Sequence, residues 1–364
     1  MAVNPSSKLY EVELGSAIGP DGRFKIIGFH HSSRTTASLL AQATYIAHDM
    51  RTQRYVTIII LSDEQTATYE EQPQKEIEQT LRKTQLAENH VLLPLDTFSL
   101  DTSGANLCFV YELFGPELQQ VIQGEDSSLP GNWIQKVLKD ALLALALMHS
   151  QELVHGAMRL WSLIMTYPNL DATNEEAVRK AYGLTDNDPS AVFNSTGSGG
   201  EEEEPNLDFQ LKLQWFHQSF TVGDEVHDFG QYKMGGAADP PELMSQGPGQ
   251  RTDIWYLAGM ITNFISGTIA DSFFLDDHQE ILADSVSKLQ EALYTEVHDM
   301  RQYMRPEEVI IEDTGSGDFS LDELRILTDL LAHMLDADPA TRYTVEQALA
   351  HPFFAVQRPA ISGN

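Results

Sequence analysis

The stretch Val226-His227-Asp228-Phe229-Gly230 sets one carboxylate before an aromatic residue and a turn-forming glycine. A carboxylate so placed could hold a hard divalent cation such as magnesium, which takes oxygen ligands. Three residues carry little specificity, so the chemistry depends on what flanks them. The preceding residues, Thr221 to Glu225, are polar rather than strand-like, and among them Asp224 is a second candidate for such a cation. Further upstream, the run Glu201 to Glu204 follows the Gly/Ser-rich "NSTGSGG". It could dock a basic peptide, although this composition ordinarily makes a solvated spacer in a mobile surface loop. The single cysteine, Cys108, allows neither an intramolecular disulfide nor a cysteine metal cage.

The bulk properties exclude some functions. The chain has 364 residues, with 23 Lys+Arg against 54 Asp+Glu, a formal charge of −31. That balance opposes binding to a phosphate backbone, so no nucleic-acid partner is expected. It could attract a basic partner, or serve only solubility. Hydrophobic residues make up 42%, enough for a full globular core. The longest apolar runs, "YVTIIIL" (55–61) and "ALLALALM" (141–148), are too short to span a bilayer, and "MAVNPSSKLYEVELG" does not read as a signal peptide. A soluble protein of the cytoplasm or nucleus, with no membrane partner, is the expectation.

The elements that would position these groups follow from periodicity. Residues 22–61 read as short strands, and "RYVTIIIL" is a buried one. Residues 73–87 read as a helix with Pro73 near its start. "HVLLPLDTFSL" and "NLCFVYEL" are two further strands. From "PELQQVIQG" onward the chain turns mainly helical, and "NWIQKVLKDALLALALMHSQ" is apolar on several faces, as a buried helix is. "NEEAVRKAYGL" reads as a short helix and "DFQLKLQWF" as a strand. Helices return at "TDIWYLAGMITNFISG" and "SLDELRILTDLLAHML".

Several of these stretches carry a family resemblance. "TDIWYLAGMI", "MLDADPATRYTVEQALAHPFF" and "DPPEL" resemble protein-kinase motifs, and the resemblance covers about residues 8–355. "CFVYELFGPELQQVI" and "NEEAVRKAYGLTDNDPSAV" are similar to the SR-protein kinases, notably their fungal relatives. The resemblance implies a two-lobed α+β fold. It has a β-rich N-lobe with one helix (1–111), a hinge (112–116), and a mainly helical C-lobe (117–358). The C-lobe carries a flexible acidic insert at about 168–206, and a tail follows at 359–364. Family structural roles fall on Glu242 paired with Arg342, on Asp253 steadying the catalytic-loop backbone, and on His155 and Phe216.

The groups that do chemistry in the family are replaced here. The glycine turn reads His31 and Ser33 where glycines belong, and Thr36 to Leu40 run through its end. Thr57 stands where an alanine packs on adenine, and Ile59 stands for the lysine that pairs with ATP phosphates. Glu76, at the position of the glutamate that orients the lysine, is a remnant without a partner. In "HGAMRLWSLI" Ala157 replaces the base aspartate and Ser162 the metal-binding asparagine, while Arg159 could still meet a phosphate. Loss of the base alone removes about 10²–10⁴-fold of rate. The tripeptide in register with the metal-binding one is Trp215-Phe216-His217, which leaves Asp228-Phe229-Gly230 as a loop coincidence. Adenine bonds could still come from the backbone at Glu112 and Phe114. The resemblance therefore implies a pseudokinase that acts by binding, with no metal, no cofactor and at most weak ATP binding. Its partner would be a basic Arg-rich peptide or an active kinase. The competing reading is a low-activity serine/threonine kinase of the SR-protein-kinase type.

Overall fold

The computed structural model describes residues 12–30, 42–71, 74–85, 87–100, 106–124, 131–185, 190–191, 209–224, 239–265 and 321–356. They form two compact units. One comprises Met1–Arg82, Val91–Leu118 and Ile164–His217; the other comprises Lys83–His90, Gln119–Leu163 and Gln218–Asn364.

The main sheet of the first unit is built from β1 (Ala17–Ile18), β2 (Phe24–His30), β3 (Gln42–Asp49), β4 (Arg54–Leu61), β5 (Asp96–Ser99) and β6 (Leu107–Tyr111). Its spatial order is β1-β2-β3-β4-β6-β5, and the neighbours are antiparallel. Side chains on a strand alternate between faces. On β4, Val56, Ile58 and Ile60 enter a core with Phe24, Ile26, Phe98, Cys108 and Val110. Ile59 and Leu61 enter a second core on the opposite face, with Tyr69, Leu92 and Phe109. Burial on both faces is why this strand reads as an unbroken apolar run.

Between β4 and β5 the sequence predicts one helix over 73–87. The chain instead makes α1 (Asp63–Glu71), α2 (Gln74–Arg82) and, in the second unit, a single turn α3 (Ala87–His90). In the sequence Pro73 falls between the first two. It has no N–H to donate, and it disfavours helical backbone in the residue before it.

A small sheet completes the first unit. It is formed by β7 (Phe114–Glu117), β9 (Leu163–Thr166) and β11 (Gln210–Leu213), in the order β11-β9-β7. After β9 comes α6 (Glu175–Ala181), whose N-cap Asn174 accepts from the N–H of Glu176 and Ala177. Asn at this position satisfies two of the donors a helix start leaves open. Part of the range expected to be a flexible insert, 168–206, is packed. Val178 and Tyr182 are fully buried, packed on Ile46, Tyr55 and Leu113. The apolar residues of "EEAVRKAYGL" bury a face against the sheet, which a solvated spacer cannot do. The strand β10 (Ser190–Ala191) then adds parallel to β2. The acidic run 201–204 lies outside the described residues.

The second unit is organised on α5 (Gly131–Ser150), which buries Trp133, Ile134, Val137, Leu138, Ala141, Leu142, Leu145 and Met148. Each large apolar side chain so buried contributes about 1.5–3 kcal/mol. Against α5 lie α7 (Gln250–Ile265) and α9 (Val345–Leu349), and α8 (Leu321–Met334) packs on α7. A two-stranded ribbon of β8 (Leu153–Val154) and β12 (Phe220–Thr221) closes the loop after α5. Among the described residues, no helix is long and apolar enough to cross a membrane.

Candidate functional site

In the first unit the antiparallel register fixes the two positions on β4. Thr57 lies opposite Ile46 on one side and Tyr111 on the other, and Ile59 lies opposite Phe109. Ile59 is 8% exposed and shares its core with Tyr69, Leu92, Phe109, Phe114 and Ile164. The Tyr69 and Phe109 rings meet edge to face at 4.8 Å. The position that the resemblance assigns to a lysine is therefore hydrocarbon in hydrocarbon surroundings.

The carboxylate expected to answer it does not face this core. Glu76 is exposed, because α2 buries Ile77, Glu78 and Leu81 instead. The buried acid is Glu78, which accepts from Gln74 Nε2 at 2.8 Å and from the Tyr69 hydroxyl at 3.3 Å. Burial pushes its carboxyl above the usual range. The spacing Ile77, Glu78, Leu81 already marked this face, whereas the motif alone pointed to Glu76.

The hinge residues are engaged within the protein. The Glu112 carboxylate takes Lys212 Nζ at 2.5 Å. The Phe114 carbonyl accepts from the hydroxyl of Tyr182 at 2.8 Å. That hydroxyl also lies beside Thr57 Oγ1, a fully buried oxygen with no well-aligned hydrogen bond. Directly after Phe114 the backbone comes so close to Tyr167 that a Cβ on Gly115 would sit 2.6 Å from that ring, so only glycine fits.

Trp215 stands two residues beyond the end of β11 with a left-handed φ of 69°. This conformation costs a non-glycine residue about 1–2 kcal/mol. Its indole faces the carboxylate of Glu117 on β7 without closing a well-aligned bond, and Gln214 Nε2 approaches the same carboxylate at 3.3 Å. Burial pushes Glu117 up to about 7. An acid raised in the folded state lowers stability as pH rises. Its charging cost is absent below its ordinary value of 4.5, grows towards 7 and is complete above that. Allowing for its partial exposure, Glu117→Gln should stabilise the protein by about 1–2 kcal/mol at pH 8 and by nothing measurable at pH 4.5. Urea unfolding at both pH values tests this, and an equal gain at the two would refute it.

In the second unit Ala157 is buried and offers no proton acceptor; its N–H donates to His155 Nδ1 at 3.3 Å. Asp253 accepts from the N–H of His155 and of Gly156, both at 2.9 Å, and lies 3.0 Å from His149 Nε2. Ser219 donates to the His155 carbonyl at 3.0 Å. Ser162 turns its hydroxyl back on its own loop, donating to the Arg159 carbonyl at 2.6 Å and accepting from the Arg159 N–H at 3.0 Å. Arg159 lies over the Trp161 ring at 5.0 Å, in the field of Tyr256 and Asp239, and burial lowers its basicity. The Tyr256 hydroxyl donates to Asp239 at 3.0 Å. Arg342 and Glu242 form a two-pronged pair at 2.5 and 2.8 Å. Phe216, in the first unit, is buried.

Of the remaining candidates, Asp224 accepts from the Thr221 N–H at 2.9 Å and closes a local turn. His31, Ser33, Thr36 to Leu40 and Asp228-Phe229-Gly230 lie outside the described residues. Among the described residues no three His, Cys, Asp or Glu side chains gather as a metal site requires. Sequence reasoning missed Glu78, which its helix spacing marks, and Glu117 and Tyr182, which matter only once distant segments meet.

No protein-family model matches the chain. The mouse dual specificity protein kinase CLK1 is 22% identical to it over 267 residues, which are 68% of this chain and 50% of that protein. The chain thus spans about half the length of the curated relative it matches. A crystal structure of a kinase domain matches with a TM-score of 0.57 at 14% identity, covering 95% of this chain and 98% of that one. The Glu242–Arg342 pair and the Asp253 contacts have the partners that the sequence resemblance implies. The chain has the α+β protein-kinase fold, and its sequence is similar to that of a dual specificity protein kinase.

Proposed function

We propose that this kinase-fold protein is a pseudokinase, acting as a binding, scaffold or regulatory protein. The observation that carries the reading is the apolar enclosure of Ile59 while Glu76 turns to solvent. Phosphoryl transfer is almost entirely positioning and charge stabilisation. Here the position that would carry the cation is hydrocarbon, the metal-ligand position is an indole, and the base position is a methyl group. The reading includes no resident cofactor or metal and at most weak ATP binding. The formal charge of −31 supports a basic, Arg-rich peptide as partner, and an active kinase is the other class of partner the fold could regulate. Such a protein would work in the cytoplasm or nucleus.

A thermal-shift series with ATP and magnesium or manganese, run beside radiolabelled transfer to an Arg-Ser peptide, tests it. The expected outcome is no stabilisation of several degrees and no incorporated phosphate. Stabilisation together with incorporation would instead establish a low-activity serine/threonine kinase.

A further inference from the structure

We infer that Tyr182 is an internal occupant of the hinge, its phenol taking in cis the backbone contact that a planar purine base would otherwise take. The inference rests on the non-catalytic reading above and says what fills the base slot. Adenine recognition by this fold is expected to use backbone groups near Glu112 and Phe114, beneath residue 57. The Tyr182 hydroxyl donates to the Phe114 carbonyl at 2.8 Å, lies beside Thr57 Oγ1 and feels the charge of Glu112. A phenol shares with a purine a flat apolar body and a donor at its edge, so it can lie against the same stretch of hinge backbone. Tyr182 is fully buried, packed with Ile46, Tyr55, Leu113, Val178 and Leu184.

The segment carrying Tyr182 is anchored at several points, as a permanent occupant requires. The Tyr55 N–H donates to the Ala172 carbonyl at 2.6 Å, and the Tyr55 hydroxyl donates to Glu175 Oε2 at 2.9 Å. Glu175 is itself the first residue of α6, capped by Asn174, and β10 pairs with β2 further on. Strand β4, which bears Thr57, therefore holds the chain on both sides of the Asn174 cap that starts α6. A free nucleoside would have to displace an intramolecular group that has already lost its freedom, and the intramolecular group wins at ordinary nucleoside concentrations.

Adenosine, which has no phosphates, is the probe, because its binding does not depend on the positions of Ile59 or Trp215. In the full chain, Tyr182→Ala should bind adenosine at least tenfold more tightly than the unsubstituted protein by calorimetry. Tyr182→Phe keeps the ring and should gain nothing. Equal binding by the unsubstituted protein and Tyr182→Ala would overturn the inference, as would no binding by a folded Tyr182→Ala. Hydrogen exchange on the unsubstituted protein covers the case in which Tyr182→Ala does not fold. Amides of 172–182 should exchange as slowly as those of β4, and exchange at unprotected rates would overturn the inference. Phosphate transfer by the unsubstituted protein would sink the non-catalytic reading alone, whereas failure of Tyr182→Ala to bind adenosine leaves that reading standing.

Discussion

Replacing Arg342 by Ala should cost the protein about 3–5 kcal/mol, and Glu242→Ala should cost a similar amount, because each strands a buried charge. Arg342 is 0% exposed and Glu242 5%. Every nitrogen of the guanidinium donates a hydrogen bond. Nη1 and Nη2 grip the two Glu242 oxygens, Nε donates to the Asp336 carbonyl at 2.8 Å, and Nη1 also reaches the Arg251 carbonyl at 2.9 Å. The guanidinium lies 4.8 Å from the centre of the Trp255 ring, so truncation also empties packed volume. Thr252 Oγ1 sits 3.3 Å from Glu242 and cannot neutralise it. The pair itself is not a large net stabiliser, since both ions were dehydrated to form it. The double variant Glu242→Leu with Arg342→Met should therefore recover part of the loss, with the Asp336 and Arg251 carbonyls left unmet. Denaturant unfolding of the three variants decides the matter. Single-variant losses under about 1 kcal/mol would mean that water reaches the site and the charges are not stranded.

This pair also shows what a sequence can disclose. Glu242 and Arg342 are 100 residues apart, yet each sits in a motif whose companions fix its place, so the pairing was expected before any coordinates. Strand β4 was legible because its apolar run admits only burial on both faces. Legibility fails where a residue's role depends on which segment folds back on it. "EEAVRKAYGL" has the pattern of a helix, but nothing in it announces that Tyr182 reaches the Phe114 carbonyl. Trp215 could be placed in register, but not its left-handed backbone, which no local preference of tryptophan would suggest. Glu117 reads as an ordinary polar residue until Trp215 and Gln214 cover it. The choice between Glu76 and Glu78 was different in kind. A helix face beginning at Ile77 and returning at Leu81 includes Glu78 and excludes Glu76, and the motif match outweighed that geometry. The α1 segment, "DEQTATYEE", was missed because it has no apolar stripe to read.

Putting the lysine back with Ile59→Lys should destabilise the protein by about 3–4 kcal/mol and restore no nucleotide binding. In an active site of this fold the ammonium would meet a carboxylate and phosphates. Here it would enter a core of Tyr69, Leu92, Phe109, Phe114 and Ile164, with Glu76 on the solvent side of α2. Glu78 is buried nearby, but its oxygens are taken by Gln74 and Tyr69, and its burial already disfavours charge. The lysine would respond by losing its proton, so its folded-state pKa falls below the unfolded value of about 10.4. Between those two values the unfolded chain binds the extra proton, and stability must therefore rise with pH. The deficit of Ile59→Lys against the unsubstituted protein should be largest near pH 7 and shrink towards pH 10, a signature that lost packing alone cannot give. Adding Ala157→Asp and Trp215→Asp should still yield no phosphate transfer, since the Phe114 carbonyl stays occupied by Tyr182. Urea unfolding across that pH range, with and without magnesium and ATP, reads the result. A small, pH-independent deficit accompanied by stabilisation from ATP would show that Ile59 plugs a competent nucleotide site and is not part of a sealed core.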